Sequence, residues 1–303
     1  MAPPPLHPSE TALVLDRALG SFLGLAIGDA LGATVEFMTA REIAAQFKVH
    51  QEIVGGGWLR LRPGQVTDDT EMALALGSAV LAHGGWNVRA IADGFVKWMR
   101  RPPVDIGNTC RRGIVHYLCT GSLCVPSGDS ACGNGAAMRN LPTVFTALQD
   151  EERMVQRSLE QAHITHNHAF SDAAVATLAR MTRRLLLEGA QAPCARIASD
   201  MVEMFPKFNF KPWPGRTSGY IVDTVQTVFD GFFNTSTFED CLLRVVNRGG
   251  DADTTGALAG QLAGACYGLR AIPPRWLKKL DPAVTAEIYR QTPPLLALSR
   301  LKP

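Results

Sequence analysis

The sequence has little charge of either sign. Charged residues make up 19% of its 303 residues, and the formal net charge is only +2. A chain so close to neutral has no broad positive field that would attract nucleic acid or an anionic membrane surface. We therefore expect no nucleic-acid partner. Hydrophobic residues make up 46% of the chain, which is enough to bury a large core in one or two domains.

Paired cysteines and export signals are also missing. The seven cysteines are an odd number and include no C-x-x-C pair, which favours a reduced, cytoplasmic protein. The proline-rich start lacks the charged and apolar regions of a signal peptide, and we expect residues 1–12 to form a flexible tail. The apolar segment 19–31 is short, glycine-rich and interrupted by Asp29, so we predict no direct insertion into a membrane.

Strand patterns are scarce as well. The sequence shows no series of alternating apolar and polar residues and no alternation of strands with helices, which argues against an α/β fold. Apolar residues instead recur at helical spacing after candidate N-caps, as after Asn87 and after Ser236, where Glu239 completes a capping-box pattern. Only residues 53–66, around three consecutive glycines, could be extended. No composition break marks a linker, so we predict one all-α domain over residues 13–303.

Two acidic clusters lie far apart in this weakly charged chain. The first reads VTDDTE at residues 66–71, and the second reads GGDADTTG at residues 249–256. Carboxylate and hydroxyl oxygens are the ligands that Mg²⁺ and Mn²⁺ prefer, and carboxylates this close repel one another unless a cation lies between them. Ordinary helix N-capping is the alternative, because Asp and Thr are favoured there anyway. Two such clusters favour a shared metal site.

Glycine recurs at every fourth position in two segments. The positions are Gly20, Gly24, Gly28 and Gly32, and then Gly256, Gly260, Gly264 and Gly268. On a helix this spacing places the glycines near one face, where each costs about 1 kcal/mol relative to alanine. Close packing of two helices would offset that cost, and a chance periodicity is the alternative. If the helices pack together, Asp29 and Glu36 lie near Asp251 and Asp253.

Several motifs follow one another in an order that is known from one protein family. They are GDALG at residues 28–32 with Glu36 after it, TDDT at 67–70, GNGAAMR at 133–139 and GGDADTTG at 249–256. In this order and over about residues 16–295 the sequence resembles the ADP-ribosylglycohydrolases. GNTCRRG at 107–113 and ITHNH at 164–168 resemble the branch that acts on nitrogenase.

The resemblance implies a fold, a metal centre and a reaction. The fold is a compact, single-domain, all-α orthogonal helical bundle with a central dinuclear metal site that binds two divalent cations, Mn²⁺ or Mg²⁺. The reaction is hydrolysis of the N-glycosidic bond between ADP-ribose and a protein arginine. The implied metal ligands are Thr67, Asp68, Asp69, Asp251, Asp253 and Thr254. Four carboxylates would balance the charge of two divalent ions, and the ions would bind the ribose and activate water.

Roles for the remaining candidate residues follow from the same resemblance. Glu36 matches a motif glutamate beside the metals and is the candidate for proton chemistry, with Asp253 as the second catalytic candidate; a solvated helix end is the alternative for Glu36. We interpret His166 as a donor to the nucleotide and His168 as structural. The residues expected to bind ADP-ribose are Asp105, Asn108, Thr109, Cys110, Asp129, Gly133, Asn134, Gly135, His166 and Tyr220.

Two of these assignments have alternatives of their own. The glycine run at 133–135 could bring backbone N–H groups to phosphates at a helix start, or it could be an ordinary junction between a loop and a helix. Tyr220 could stack on the ligand or hydrogen-bond to it, or it could be a core tyrosine.

The resemblance also implies partners. They are the ADP-ribosylated nitrogenase iron protein as substrate and a PII-type nitrogen regulatory protein, with any membrane association of the cytoplasmic enzyme made through partner proteins. Two alternative functions are a non-catalytic ADP-ribose-binding or crystallin-like relative and a D-x-D-type metal-dependent phosphatase. Too few residues follow Asp253 for the rest of a phosphatase core. An EF-hand calcium loop is excluded because its twelfth position would be Leu262.

Overall fold

The computed structural model describes residues 8–299, and these residues form fifteen α-helices and no β-strand. The helices are α1 (Pro8–Gly32), α2 (Ala40–Phe47), α3 (Asp68–His83), α4 (Val88–Arg100), α5 (Asn108–Thr120), α6 (Gly135–Met138), α7 (Leu141–Thr146), α8 (Glu151–His163), α9 (Ala169–Glu188), α10 (Ala192–Met204), α11 (Ile221–Phe233), α12 (Phe238–Val246), α13 (Ala252–Tyr267), α14 (Pro274–Leu277) and α15 (Pro282–Leu298). The prediction of an all-α, single-domain fold is confirmed.

Helices α1 and α13 lie at the centre and pack along their glycine faces. A Cβ atom placed on Gly28 would lie 1.9 Å from the carbonyl oxygen of Gly256, and one on Gly260 would lie 2.0 Å from that of Gly24. No side chain fits at such distances, so the two backbones touch directly. The predicted pairing of the two helices is confirmed. It brings the C-terminal end of α1 beside the N-terminal end of α13, which carries the second acidic cluster.

The central position of α1 also accounts for its apolar sequence. By length and composition alone, Thr11–Gly32 could cross a membrane, with a mean hydropathy of 1.4. In this fold, however, nearly every side chain between residues 18 and 32 is buried against α13 and its neighbours. A core helix of a soluble protein passes the same test, so the hydropathy of α1 reflects its place in the core.

Two helix starts differ from the sequence analysis. Helix α1 begins at Pro8, so residues 8–12 of the predicted tail are helical, as proline in the first turn of a helix allows; residues 1–7 lie outside the described part of the chain. Helix α12 is capped by Thr237 and not by Ser236, because the Thr237 hydroxyl accepts the backbone N–H of Asp240 at 3.0 Å. Both residues have a carboxylate three positions further on. The Thr237 hydroxyl also donates to Asp240 at 2.7 Å, whereas Glu239 pairs with Arg275.

The cap predicted for α4 is present: the side chain of Asn87 accepts the backbone N–H of Ala90 at 2.9 Å. Residues 53–66 form turns and no strand. Backbone hydrogen bonds of 2.8 Å in both directions join Gly56 to Leu61 and close a tight loop. A Cβ on Gly57 would lie 2.4 Å from the carbonyl oxygen of Ala33. The loop therefore rests on the turn that follows α1 and holds Trp58 beside that turn.

Candidate metal centre and active site

Asp29, near the end of α1, holds the N-terminal end of α3. Its buried carboxylate accepts the backbone N–H groups of Thr67 at 3.0 Å and Thr70 at 3.1 Å, together with their hydroxyls at 2.9 and 2.5 Å. Burial raises the pKa of Asp29 to about 6, although these hydrogen bonds oppose the shift. Asp29 thus satisfies hydrogen-bond donors at the start of α3. These donors flank Asp68 and Asp69, so Asp29 also holds those two aspartates in place.

Those two aspartates connect α3 to other parts of the fold. Oδ2 of Asp68 accepts the backbone N–H of Gly107 at 3.1 Å. Oδ2 of Asp69 accepts the hydroxyl of Thr254, on α13, at 3.3 Å, and the hydroxyl of Thr67 at the same distance. Oδ1 of Asp69 is buried without a hydrogen-bond partner among the described residues. A buried carboxylate oxygen of this kind needs a cation or a donor to offset its desolvation.

The second cluster meets Glu36 from the turn after α1. One carboxylate oxygen from each of Glu36, Asp251 and Asp253 lies within 4.8 Å of the other two. The amide of Asn134 donates to Asp251, and the indole N–H of Trp58 donates to Oε2 of Glu36 at 2.5 Å. The expected approach of Glu36 to the second cluster is therefore present. Asp29 also lies near it, because its charge adds to the effect of burial in raising the pKa of Asp253, although its hydrogen bonds go to Thr67 and Thr70 at the start of α3.

Burial and mutual repulsion raise the pKa values of these carboxyl groups. The pKa of Glu36 is raised to about 8 by burial and by the negative charge of Asp251, against the effect of the Trp58 hydrogen bond. Burial and the charge of Asp105 raise the pKa of Asp68 to about 7. Burial likewise raises the pKa of Asp251, and it raises those of Asp69 and Asp253 well above the usual range.

The candidate metal ligands are therefore closely spaced oxygen atoms, and one of them, Oδ1 of Asp69, is buried without a hydrogen-bond partner among the described residues. Carboxylate and hydroxyl oxygens match the preference of hard divalent cations, and such ions would relieve the repulsion that raises the pKa values. The residues present fit a divalent metal centre.

The cluster opens into a cleft of about 470 Å³. Most of the residues that the sequence assigned to the site line it: Glu36, Asp68, Asp105, Asn108, Thr109, Cys110, Gly133, Asn134, Gly135, His166, Asp251, Asp253 and Thr254. Thr67 and Asp69 are buried next to these residues. Residues that are hundreds of positions apart in the chain thus share one cleft.

One wall of the cleft is built from glycines packed on buried side chains. A Cβ on Gly133 would lie 3.0 Å from Nε2 of His166, and one on Gly135 would lie 2.6 Å from Sγ of Cys110. Larger residues would push these side chains away or fill the cleft. The glycines are therefore needed for space, whatever backbone contacts they make.

His166 is buried and neutral. Burial and the charges of Arg139 and Arg112 lower its pKa well below the usual range. The hydroxyl of Thr165 accepts a hydrogen bond from Arg139 at 2.8 Å and lies 2.7 Å from Nδ1 of His166. Because Arg139 can only donate, the Thr165 proton is available for Nδ1. This arrangement favours the proton on Nε2, which points to the glycine wall, and it agrees with the expected donor role of His166.

Asp129 and Tyr220 are not among the residues that line the cleft. The Asp129 side chain is fully exposed, and its Oδ1 lies 3.8 Å from Nε2 of His168. Nδ1 of His168 accepts the backbone N–H of Phe170 at 3.0 Å and caps α9, so His168 has the structural role expected of it.

Tyr220 contributes backbone pairing to the cleft wall. It forms an isolated bridge with Gly133, while its side chain is 37% exposed and Gly219 lines the cleft. The backbone N–H of Asn134 donates to the carbonyl of Gly219 at 3.2 Å, so that N–H group is already used within the protein.

Phe37 and Trp58 line the cleft and were missed by the sequence analysis. Their ring centroids lie 5.4 Å apart with an interplanar angle of 48°. The two residues come from different turns, one after α1 and one in the glycine loop, and neither belongs to a periodic pattern. The only signal in the sequence was the position of Phe37 directly after Glu36.

Comparison with known proteins shows the family of the chain. Residues 10–301 match the family described as ADP-ribosylglycohydrolase. The chain is 54% identical to ADP-ribosyl-[dinitrogen reductase] glycohydrolase of Rhodospirillum rubrum, over 95% of this chain and 98% of that protein. It is 35% identical to ADP-ribosylarginine hydrolase Tri1 of Pseudomonas putida, over 88% of this chain and 74% of that protein.

A solved structure, described as an ADP-ribosylglycohydrolase-related protein complex, has the same fold. It aligns with a TM-score of 0.85 and 33% identity, over 95% of this chain and 99% of the other.

Proposed function

Because the chain belongs to the ADP-ribosylglycohydrolase family, we propose that it is a hydrolase that removes ADP-ribose from a modified arginine of a protein. The observation that carries the proposal is the meeting of Glu36, Asp68 and Asp251 in one cleft, although they come from three separate parts of the chain. We further propose the ADP-ribosylated nitrogenase iron protein as the substrate, since the relative from Rhodospirillum rubrum is named for its action on dinitrogen reductase.

The proposed cofactor is a pair of divalent cations, Mn²⁺ or Mg²⁺. The residues that would hold them are Thr67, Asp68, Asp69, Asp251, Asp253 and Thr254. The four carboxylates in this set carry the charge that two divalent ions neutralise, and Oδ1 of Asp69 is the orphaned buried oxygen among them. When bound, the ions supply an attachment point for the ribose hydroxyls and a more acidic water molecule.

We propose that Glu36 moves a proton during the reaction. Trp58 donates to Oε2, which leaves Oε1 of Glu36 to carry a proton. As the bond between C1 of the ribose and the guanidine nitrogen breaks, Oε1 can give this proton to the departing nitrogen. The water that adds to C1 then returns a proton to Oε1. Arginine is a strong base, so protonation of the leaving group lowers the barrier to its departure.

The nucleotide end of the substrate would lie along the glycine wall. Gly133 and Gly135 leave space there, and Nε2 of His166 faces that space. Because His166 is neutral and its proton is favoured on Nε2, it can donate to the nucleotide without adding a buried charge.

Two other functions make different predictions. A non-catalytic ADP-ribose-binding relative would bind the nucleotide without turnover; every acidic residue of the proposed centre is present in this chain, which favours an enzyme. A D-x-D-type phosphatase needs an α/β core, and the described residues form helices without a strand. A PII-type regulatory partner and a cytoplasmic location with membrane association only through partners stay predictions of the family resemblance.

The test is incubation of the purified protein with an arginine-ADP-ribosylated protein, with Mn²⁺ or with EDTA. We expect release of free ADP-ribose and unmodified arginine in Mn²⁺ only, measured by mass spectrometry. Binding of ADP-ribose without any release in Mn²⁺ or Mg²⁺ would support the non-catalytic alternative.

A further inference from the structure

Contacts across the cleft arrange its parts in a fixed order. Trp58 bonds to Glu36, and Glu36 lies within 4.8 Å of Asp251. Asp251 accepts the amide of Asn134, which lies between the two glycines that face His166 and Cys110. The acidic centre therefore separates an aromatic end of the cleft from the wall formed by the glycines and His166.

The three parts of ADP-ribosylarginine, namely nucleotide, ribose and arginine, follow one another in an order that matches the cleft. In ADP-ribosylarginine the ribose carries the diphosphate at C5 and the arginine at C1, so the two groups leave the sugar in different directions. If the ribose lies at the acidic centre and the nucleotide lies along the glycine wall, the arginine must extend to the opposite end. That end is formed by Phe37 and Trp58.

The aromatic end is exposed although it is strongly apolar. Phe37 is 65% exposed and Trp58 is 52% exposed, and both rings border the carboxylates of the cleft. Large aromatic side chains contribute most to stability when they are buried. Phe37 and Trp58 are exposed together at the cleft, so they contribute less to the core, and their rings are available to a bound ligand.

The backbone at this end is also held in an unusual conformation. Phe37 has a φ of 63°, which is uncommon for a residue with a side chain. Its backbone N–H donates to the carbonyl of Gly250 at 2.7 Å, and the N–H of Gly250 donates to the carbonyl of Met38 at 2.8 Å. These bonds fix the turn directly to the residue that precedes Asp251. Strained backbone of this kind is typical of ligand sites that must be rigid.

We propose that Phe37 and Trp58 form the subsite for the arginine side chain of the substrate, and this proposal rests on the proposed function. The guanidinium is a planar cation that stacks on aromatic faces, which favours it over a neutral side chain of the same shape. Trp58 has a second task as a positioning residue, because its N–H fixes Oε2 of Glu36 next to the bond that breaks. Phe37 and Trp58 together thus select arginine, and Trp58 also holds Glu36, the group that protonates the leaving guanidine.

The first test is direct binding and needs no turnover. Wild-type protein loaded with Mn²⁺ and ADP-ribose is titrated with N-acetylargininamide and with N-acetylcitrullinamide, its neutral analogue of nearly the same shape. We expect the argininamide to bind and the citrullinamide to bind at least 10-fold more weakly. Phe37→Leu and Trp58→Leu should each weaken the argininamide by roughly 3- to 30-fold, the range of a cation–π contact. Tyr289→Leu, which removes an exposed ring on α15, should change nothing.

The second test separates the two tasks of Trp58 in turnover of an ADP-ribosylarginine substrate. Phe37→Leu should raise KM by roughly 3- to 30-fold with little change in kcat. Trp58→Phe keeps a ring but removes the N–H group, so it should lower kcat with little change in KM. Affinity for free ADP-ribose should stay at the wild-type value in both variants, which also shows that they are folded.

The outcomes distinguish this proposal from the proposed function. If the wild type releases ADP-ribose but both leucine variants keep the wild-type KM and argininamide affinity, the arginine subsite is wrong and the hydrolase stands. If the leucine variants lose affinity for ADP-ribose itself, the rings hold the adenine, and the proposal is overturned. If the wild type neither releases ADP-ribose from modified arginine nor binds argininamide, both proposals fall.

Discussion

Oδ2 of Asp29 accepts the hydroxyl of Thr70 at 2.5 Å and the backbone N–H of the same residue at 3.1 Å. This contact joins the end of α1 to the first turn of α3, across 41 positions of the chain. It places the first acidic cluster against the glycine-packed pair of central helices. The centre thus depends on a buried carboxylate that the sequence analysis did not assign as a metal ligand.

Removal of that carboxylate should destabilise the fold. Asp29→Ala leaves the backbone N–H groups of Thr67 and Thr70 and the Thr70 hydroxyl without their buried acceptor, and we expect a loss of at least about 3 kcal/mol in the free energy of unfolding. Urea denaturation measures the loss. Asp200→Ala is the matched control, because the ion pair of Asp200 with Arg196 is exposed, and it should cost less than about 1 kcal/mol. Equal stability of the two variants would show that Asp29 does not hold α3.

The glycine contact between α1 and α13 should tolerate no methyl group. In Gly28→Ala the added Cβ would lie 1.9 Å from a carbonyl oxygen of α13, so the helices must separate. We expect destabilisation of about 3 kcal/mol or more, at the upper end of overpacking. In Gly85→Ala the added Cβ would meet no heavy atom of the described residues within 4 Å beyond its chain neighbours, so the free energy of unfolding should change by less than about 0.5 kcal/mol. Similar denaturation midpoints for both variants would contradict direct backbone contact.

Glu36→Gln should separate chemistry from binding. The carboxamide has almost the same shape and can still accept from Trp58, so the fold and ADP-ribose affinity should persist, while turnover falls by roughly 10²-fold or more. Calorimetry measures nucleotide binding, and mass spectrometry measures released ADP-ribose. Glu160→Gln is the control, since Glu160 accepts the indole of Trp86 outside the cleft in the same way.

The two ways in which the Glu36 prediction could fail have different meanings. Turnover at the wild-type rate would mean that Asp253 or a water carries the proton. Loss of nucleotide binding together with turnover would make Glu36 a binding residue.

The raised pKa values predict how stability depends on pH without metal. The pKa values of Asp29, Asp68 and Glu36 are about 6, 7 and 8 in the folded protein, against 3.8, 3.8 and 4.5 as ordinary values. The folded protein therefore binds these protons more tightly, and their stabilising contribution is complete below about pH 4 and is lost as pH rises through 6 to 8.

In EDTA the melting temperature should accordingly fall between pH 5 and pH 8. Mn²⁺ should restore more stability at pH 8 than at pH 5, because the ion competes with protons for the carboxylates. Thermal denaturation at both pH values, with and without Mn²⁺, measures this. A larger protective effect of Mn²⁺ at pH 5 would contradict the assignment of Asp68 and the other clustered aspartates to the metal centre.

The sequence predicted the central helix pair and the meeting of the two acidic clusters because both leave local marks. Glycines at every fourth position lie on one face of a helix, which predicts close helix packing. Carboxylates as close in sequence as those around Asp68 and Asp251 repel one another, which predicts a cation between them. The role of Asp29 left no such mark, since its donors lie 38 and 41 positions away.

The aromatic end of the cleft could not be predicted for a related reason. Phe37 and Trp58 meet only because the loop at Gly57 packs on the turn after α1, a contact that no spacing in the sequence encodes. Asp129 and Tyr220 are a different case. Both are close in sequence to residues that line the cleft, but neither lines it, and their roles in binding ADP-ribose stay predictions.

The central claim is that the two acidic clusters form a single centre for two metal ions. The most direct measurement is a Mn²⁺ titration of the metal-free protein, followed by calorimetry and by electron paramagnetic resonance, for the wild type and for Asp251→Asn. We predict two Mn²⁺ per wild-type chain with magnetic coupling between them, because paired metal ions lie roughly 3.5–4 Å apart. Asp251→Asn should lose one ion or bind it at least about 10-fold more weakly. Two uncoupled ions, or an unchanged titration in Asp251→Asn, would contradict the account.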